Sequence, residues 1–409
     1  MRKPLQPFIG SALVALTLLG SAYAKDWPHW RGPQGDGISQ ETGLLKAWPS
    51  SGPKILWEAP LGAGFSSFAV VEGRVLTQYQ TEEGEFLAAF DEPTGKPLWK
   101  LRTGDPYIDR QGFHGPRATP TVEDGKVYAL DAIGNLVCAE AASGKVIWQK
   151  NVLKELGGQN TTWGLAQSPF IDGPLLYIMA GLSKGNSVAA LDKKSGNVVW
   201  KALDDLAGYA TPVKAVIGGM PQIIFFTGSE IVALTPKDGK KLWSVPWKTM
   251  YDINAAMPIV RGDKVFISSG YNTGCALIQV DPKATPAVKE IYKNKNMRCK
   301  FQTPALLGDY VYGADDNQLR CIKFDTGEVQ WTQQGFEMAS IMMADGLATI
   351  QGQKGNLALA KLTPEKFEKI SEFDGLIKGG HCWTPPVVAN GKLFIRDVTK
   401  MFCLDIKER

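Results

Sequence analysis

Apolar residues in this chain fall in short runs broken by turn formers, and the runs come in fours. Between Thr119 and Trp148 the sequence gives Thr-Pro-Thr-Val, a turn at Glu123-Asp124-Gly125, then Lys-Val-Tyr-Ala-Leu-Asp and a turn at Gly134-Asn135. Leu-Val-Cys-Ala follows, then a turn ending at Gly144, then Lys145-Val-Ile-Trp148. Four β-rich runs separated by Gly, Asn and Asp predict an antiparallel meander. The same string returns from Ser168 to Trp200, from Thr211 to Trp243 and from Thr303 to Trp331, and residues 340–373 are its most degenerate copy. No stretch long enough for a stable helix carries a 3.6-residue apolar period, so almost no helix is expected.

Each string ends on an aromatic residue. Trp57, Trp99, Trp148, Trp200, Trp243, Tyr292, Trp331 and Phe373 follow one another at 42, 49, 52, 43, 49, 39 and 42 residues. A unit of that length made only of strands predicts a β-propeller. The end of the unit is its most regular part. Ala89-x-Asp91-x-x-x-Gly95-x-x-x-Trp99 recurs as Ala190-x-Asp192-x-x-x-Gly196-x-x-x-Trp200, and as Ala233…Gly239…Trp243 without the Asp. The small residue lets blades approach, Asp caps the turn, Gly takes a positive φ, and Trp covers the seam between blades.

The final unit, from Thr384, stops after three runs. Lys54-Ile55-Leu56-Trp57 matches Lys145-Val-Ile-Trp148 and is expected to supply the missing outer strand. The fold class predicted is all-β: an eight-bladed propeller of four-stranded antiparallel blades, closed by an N-terminal strand and left with no free ring edge. Gly at 44 of 409 residues suits so turn-dense a chain. Residues 54–409 are expected to form one propeller rather than several domains.

The repeat resembles that of the pyrroloquinoline quinone (PQQ)-type propellers, which include quinoprotein alcohol dehydrogenases, the outer-membrane assembly protein BamB and many secreted bacterial proteins. The resemblance covers roughly residues 50–409 and is specific for fold, not for activity. The WD40 signature, a Gly-His followed by a closing Trp-Asp, is absent. Ahead of the first strand, Trp27-Pro28-His29-Trp30-Arg31-Gly32-Pro33-x-x-Asp36-Gly37 resembles the leader of secreted members. Residues 25–53 are expected either to dock a partner or to pack across one face as a strap.

Residues 1–24 have the order of a signal peptide: basic Arg2 and Lys3, an apolar stretch from Phe8 to Gly20, and the small-x-small site Ala22-Tyr23-Ala24. The apolar stretch is shorter than the ~20 residues a membrane span needs, so no transmembrane segment is expected. The mature protein is expected in the periplasm or outside the cell. No Cys stands near the cleavage site to carry a lipoprotein anchor, which is a departure from BamB. Removing Arg2 and Lys3 from 45 basic residues leaves 43 against 41 acidic. A nucleic-acid binder would carry a strong basic excess, so that class is set aside.

Six cysteines in an exported chain suggest disulfides, but the register argues otherwise. Cys138, Cys321 and Cys403 fall on the position held by Ala89, Ala190 and Ala233 in sibling blades, where Cys acts as a small apolar residue. Those three sit in different blades, too far apart to pair. Cys275, Cys299 and Cys382 are left over; Cys299 and Cys382 lie two blades apart.

Chemistry in a propeller gathers where each chain segment approaches an innermost strand. These channel loops supply His114, Arg117, Trp163, Gln167, Tyr209, Asn254, Arg298, Lys300, Gln302, Glu337, His381 and Trp383. Cations with aromatic rings suit an anionic, planar ligand; the same residues also suit a hydrogen-bonded plug. His114 and His381 alone lack the companions of a metal site.

For the dehydrogenases, the resemblance implies PQQ in the funnel, Ca²⁺ held by carboxylates and an Asn, an Asp base, and a vicinal disulfide. This chain has no adjacent Cys pair, no Cys-x-x-Cys-His haem motif, no Gly-x-Ser-x-Gly elbow and no phosphate loop, and Glu337 is the single carboxylate in its channel loops. Two classes stay open. One is a non-catalytic, monomeric exported scaffold binding an envelope protein, a peptide or a polysaccharide. The other is a PQQ-dependent oxidoreductase.

Overall fold

The computed structural model describes residues 26–181, 184–377 and 381–408. The signal peptide expected at residues 1–24 lies outside them. The strands form eight sheets arranged as consecutive blades. Blade one takes Ala69–Val71, Arg74–Thr81, Gly84–Asp91 and Pro97–Gly104, from the channel outward. Blade eight takes Val387–Ala389, Lys392–Arg396 and Lys400–Asp405 from the end of the chain, and its outer strand is Lys54–Pro60. That strand runs antiparallel to the last one, with Lys54 opposite Asp405 and Trp57 opposite Cys403. The single α-helix among the described residues, Val152–Leu156, is one short turn capped by Asn151.

The small-residue position is the same in every well-formed blade. Leu76, Ala89 and Trp99 line up across three strands of blade one, as do Tyr128, Cys138 and Trp148 in blade two. Phe394, Cys403 and Trp57 do so in blade eight. All six cysteines are free and buried. Cys138, Cys321 and Cys403 therefore act as extra-large alanines between an aromatic ring on either side.

Six of the eight closing aromatics stitch their blade to the next by a hydrogen bond. Trp57 donates its indole N–H to the Glu92 carbonyl at 2.8 Å, Trp99 to Ala141 at 3.1 Å, Trp148 to Lys193 at 3.1 Å, Trp200 to Pro236 at 2.8 Å, and Trp331 to Thr363 at 2.8 Å. Tyr292 does the same to Phe324 with its hydroxyl. The ring lies flat on the next blade's turn glycine, and a Cβ on Gly95 would come within 2.6 Å of Trp57. Gly95 also sits at φ +69°, so the turn needs glycine for backbone and for space. Gly52 meets Phe373 in the same way, 2.6 Å from an added Cβ. It is the turn glycine of blade eight, although it lies more than three hundred residues from the other three strands of that blade. Burying each ring contributes about 1.5–3 kcal/mol, more than its single hydrogen bond at about 1 kcal/mol.

Ring closure has a second fastener. Arg396, at the end of the second strand of blade eight, is fully buried. It donates to the carbonyls of Ser66, Gln78 and Gly62 in and before blade one at 2.9–3.1 Å. Neutral acceptors surround the charge, and burial pulls its pKa down to about 10.

Residues 26–53 cross the ring. Trp27 pairs with Val70 of blade one through two backbone hydrogen bonds, and the Pro28 carbonyl accepts from Val122 of blade two. Arg31 donates to the carbonyls of Thr303 and Pro304, at the start of blade six, at 2.8 and 2.9 Å. Ile38–Ser39 then adds a parallel fifth strand to blade seven. Blades two and six stand opposite each other in a ring of eight, so the segment between Pro28 and Arg31 spans the channel.

Candidate functional site

A belt of hydroxyls lines the channel, built by the Ser or Thr that opens successive repeats. The Ser67 N–H donates to Thr119 Oγ1 at 3.1 Å, Thr119 to Ser168 Oγ at 2.9 Å, and Ser168 to Thr211 Oγ1 at 2.9 Å. Met257 stands where a hydroxyl would continue the belt, and its own N–H donates to Thr303 Oγ1. The belt satisfies backbone groups that the narrow channel hides from water. It fixes where each channel loop leaves the sheet.

Above the belt these loops enclose a cavity of about 180 Å³. Phe65, Phe113, Trp163, Tyr209, Tyr271, Phe301 and Trp383 form its wall, and Trp30 of the crossing segment also faces it. Trp383 is the hub. Its ring lies 4.8 Å from Phe113, 4.9 Å from Phe301, 5.1 Å from Phe65 and 4.9 Å from His381. A second group, Trp163, Tyr209, Tyr251 and Tyr271, meets edge to face across the mouth. Tyr251 of that group, its chain neighbour Met250, and Ile108, which follows the Tyr107 ring facing Arg117, are 57–69% exposed, large apolar side chains left in water.

The predicted residues divide sharply. Arg117, Trp163, Tyr209 and Trp383 line the cavity. Arg117 is held rather than free: it donates to the carbonyls of Gly115 and Phe113 at 2.8 and 2.6 Å and stands 3.7 Å from Asp109. Burial draws its pKa below the ordinary value, partly offset by Tyr107 and Asp109. Lys300 lies over the Tyr271 ring at 5.5 Å. Arg298 is neutralised by Asp315, through bonds of 2.7 and 2.9 Å, and by Asp316 at 3.0 Å. His114 accepts from the Asp109 N–H, and His381 packs at the edge of Phe113. Glu337 pairs with Lys354 at 3.6 Å.

Two predicted residues serve the blades, and a third is buried beside them. Asn254, fully buried, donates to Thr227, Gly228 and Trp247 carbonyls and accepts from Ser269. Gln167 donates to the Met179 carbonyl. Gln302 is 4% exposed, and neither polar atom of its side chain has a hydrogen-bond partner. The wall is therefore aromatic, with its cations mostly engaged. Phe65, Phe113 and Phe301 stand in the same channel loops but carry no polar atom to single them out, while Tyr271 and Trp30 reach the wall from outside those loops.

Behind Arg117, at the seam of blades one and two, lie two buried acids. Glu85 accepts from the Ala132 N–H, while its other oxygen has no partner. Asp131 accepts from Ile133 and Asn135. Burial, and then the Asp131 charge, push the Glu85 pKa up.

Blade number, belt and funnel define an eight-bladed propeller of the PQQ-like class. A family profile described as outer membrane protein assembly factor BamB matches residues 37–181 and 82–333, and the chain belongs to this PQQ-like propeller family. It is similar to the outer membrane protein assembly factor BamB of Moranella endobia, 24% identical over 247 residues, 57% of this chain and 61% of that protein. The chain thus spans about 60% of the length of the curated relatives it matches. Among solved structures, BamB from Moraxella catarrhalis shares the fold with a TM-score of 0.60 and 16% identity, over 86% of this chain and 99% of that one. Quinohemoprotein alcohol dehydrogenase from Comamonas testosteroni does so with a TM-score of 0.66 and 12% identity, over 96% and 82%.

The fold family raises PQQ, a quinone carrying several carboxylates, as a candidate for the funnel. The donor set does not fit it. No carboxylate lines the cavity to hold a hard cation, and no cluster of three His, Cys, Asp or Glu occurs among the described residues. Arg117 is already held by two carbonyls of its own loop and by Asp109.

Proposed function

We propose that this chain is a non-catalytic scaffold of the cell envelope that receives a partner protein at its channel mouth. The observation that carries this reading is the aromatic cavity around Trp383, open beside the exposed Met250, Tyr251 and Ile108. An aromatic wall with few free charges suits an inserted apolar or aromatic side chain, which gains stacking and loses little solvation. Large apolar side chains exposed beside a concave site mark an interaction surface. Similarity to outer membrane assembly factors supports an envelope setting, as does the signal-peptide pattern in the sequence. The exported chain would then work in the periplasm or outside the cell, as a monomer, without nucleic acid.

A photo-crosslinking residue at Met250 or Ile108 should form an adduct with an envelope protein, and Trp383→Ala should abolish it. The same residue at Glu368, on an outer strand of blade seven, should give none. Adducts at all three positions would sink the reading. Stabilisation on heating by PQQ with Ca²⁺, together with a change in quinone absorbance, would favour the oxidoreductase instead.

A further inference from the structure

One closing indole does not reach the next blade. Trp243 turns its indole N–H inward to Gln222 Oε1 of its own blade, at 2.6 Å, instead of to the next blade's backbone. Blade five answers with Asp281-Pro-Lys-Ala-Thr-Pro-Ala, a turn with no glycine for the ring to cover. Between the outer strands Lys241–Pro246 and Val288–Asn294 a groove of about 370 Å³ remains, open to solvent. Trp243, Val245, Pro246, Ile278, Pro286 and Val288 line it.

This groove lies in the basic part of the ring. Residues 193–300 hold 16 Lys and Arg against 8 Asp and Glu; from totals of 45 and 41, that leaves 29 against 33 elsewhere. Lys240, Lys241, Lys283 and Lys289 are exposed on the two strands and turns that form the groove. Residues 235–246 and 281–294 hold six Lys against Asp238, Asp281 and Glu290, and Lys241 is paired with Glu230 at 3.2 Å, so the excess rests on the other lysines.

We propose that this groove docks an extended, acidic polypeptide segment that places an apolar side chain between blades four and five. Charge complementarity selects the segment and speeds its arrival. The apolar floor holds the side chain, and the free edge of an outer strand offers backbone partners to an extended chain. A flat anionic membrane matches the charge but not a recessed groove. The site is separate from the channel mouth and does not depend on that reading.

The probe is a fluorescein-labelled peptide, Glu-Leu-Glu-Phe-Glu-Leu-Glu, followed by anisotropy. It should bind the parent protein, and carbodiimide should cross-link it to Lys283 or Lys289. Lys283→Glu with Lys289→Glu should weaken it roughly tenfold, and Val288→Glu should abolish it. Reversing Lys96 and Lys145, in turns of blades one and two, should change nothing. Should Val288→Glu fail to fold, the exposed lysine pair carries the test. The proposal is overturned if the peptide does not bind, or if both lysine pairs weaken it equally. It is equally overturned if phosphatidylglycerol vesicles bind with the Lys283 and Lys289 dependence and the peptide does not.

Discussion

Trp57 stands opposite Cys403, so the first long strand of the chain and its last lie side by side in one blade. Trp57 also reaches forward to the Glu92 carbonyl in blade one. One side chain thus joins both ends of the chain and the next blade.

Deleting Lys54–Trp57 should broaden the unfolding transition and lower its midpoint. The last blade would lose its outer strand, expose an unpaired edge, and strip the cover from Gly95. Calorimetry on the truncated protein checks this; a melt superimposable on the parent would refute closure by that strand.

The buried thiols should be inert in the native protein. Cys138, Cys321 and Cys403 are 0% exposed and should react with a thiol reagent only after denaturation. Replacing each with Ala should cost under about 1.5 kcal/mol, since sibling blades carry Ala there. Mass spectrometry that finds one of them in a disulfide would break the register.

Arg117 and Lys300 should behave differently although both are cations of the channel loops. Arg117→Ala strands the carbonyls of Gly115 and Phe113 and the Asp109 carboxylate, at about 1–3 kcal/mol for each buried group left unpaired. Lys300→Ala removes only a ring contact and should leave the melting temperature nearly unchanged. Equal melting temperatures for the two variants would show that Arg117 is not a structural tie.

Glu85 should give stability a downward slope with pH. Its pKa is raised by burial and by Asp131. Between the ordinary carboxylate range and that raised value the folded state holds a proton that the unfolded state has lost. Stability from this group is therefore full in acid and declines as pH rises through that window. Glu85→Gln should flatten the slope and out-melt the parent above neutrality. Parallel melting-temperature profiles from about pH 4 to about pH 9 would exclude this origin.

The ring was legible in the sequence because most blades repeat one geometric need: a small residue under a ring and a glycine beneath the preceding blade's closing aromatic. Even the split blade could be read, from three runs after Thr384 and one orphan at Lys54. The site was only half legible. Periodicity locates the channel loops, yet it says nothing about which way a side chain leaves them. Asn254 and Gln167 turn back to stitch carbonyls, whereas Phe65 and Phe301, with no polar atom to draw attention, form the wall. The path of Trp30 and Arg31 was hidden for another reason. Their partners, Thr303 and Pro304, are close only after the ring has closed.

The crossing segment makes the funnel a cup, not a pipe. With Trp30 facing the cavity and Arg31 anchored opposite, a guest entering at the proposed mouth would meet a floor and have to leave the way it came. Substitutions at Ile108 or Tyr251 should therefore move association and dissociation rates together. Changes at Trp30 alter how deep a guest can sit.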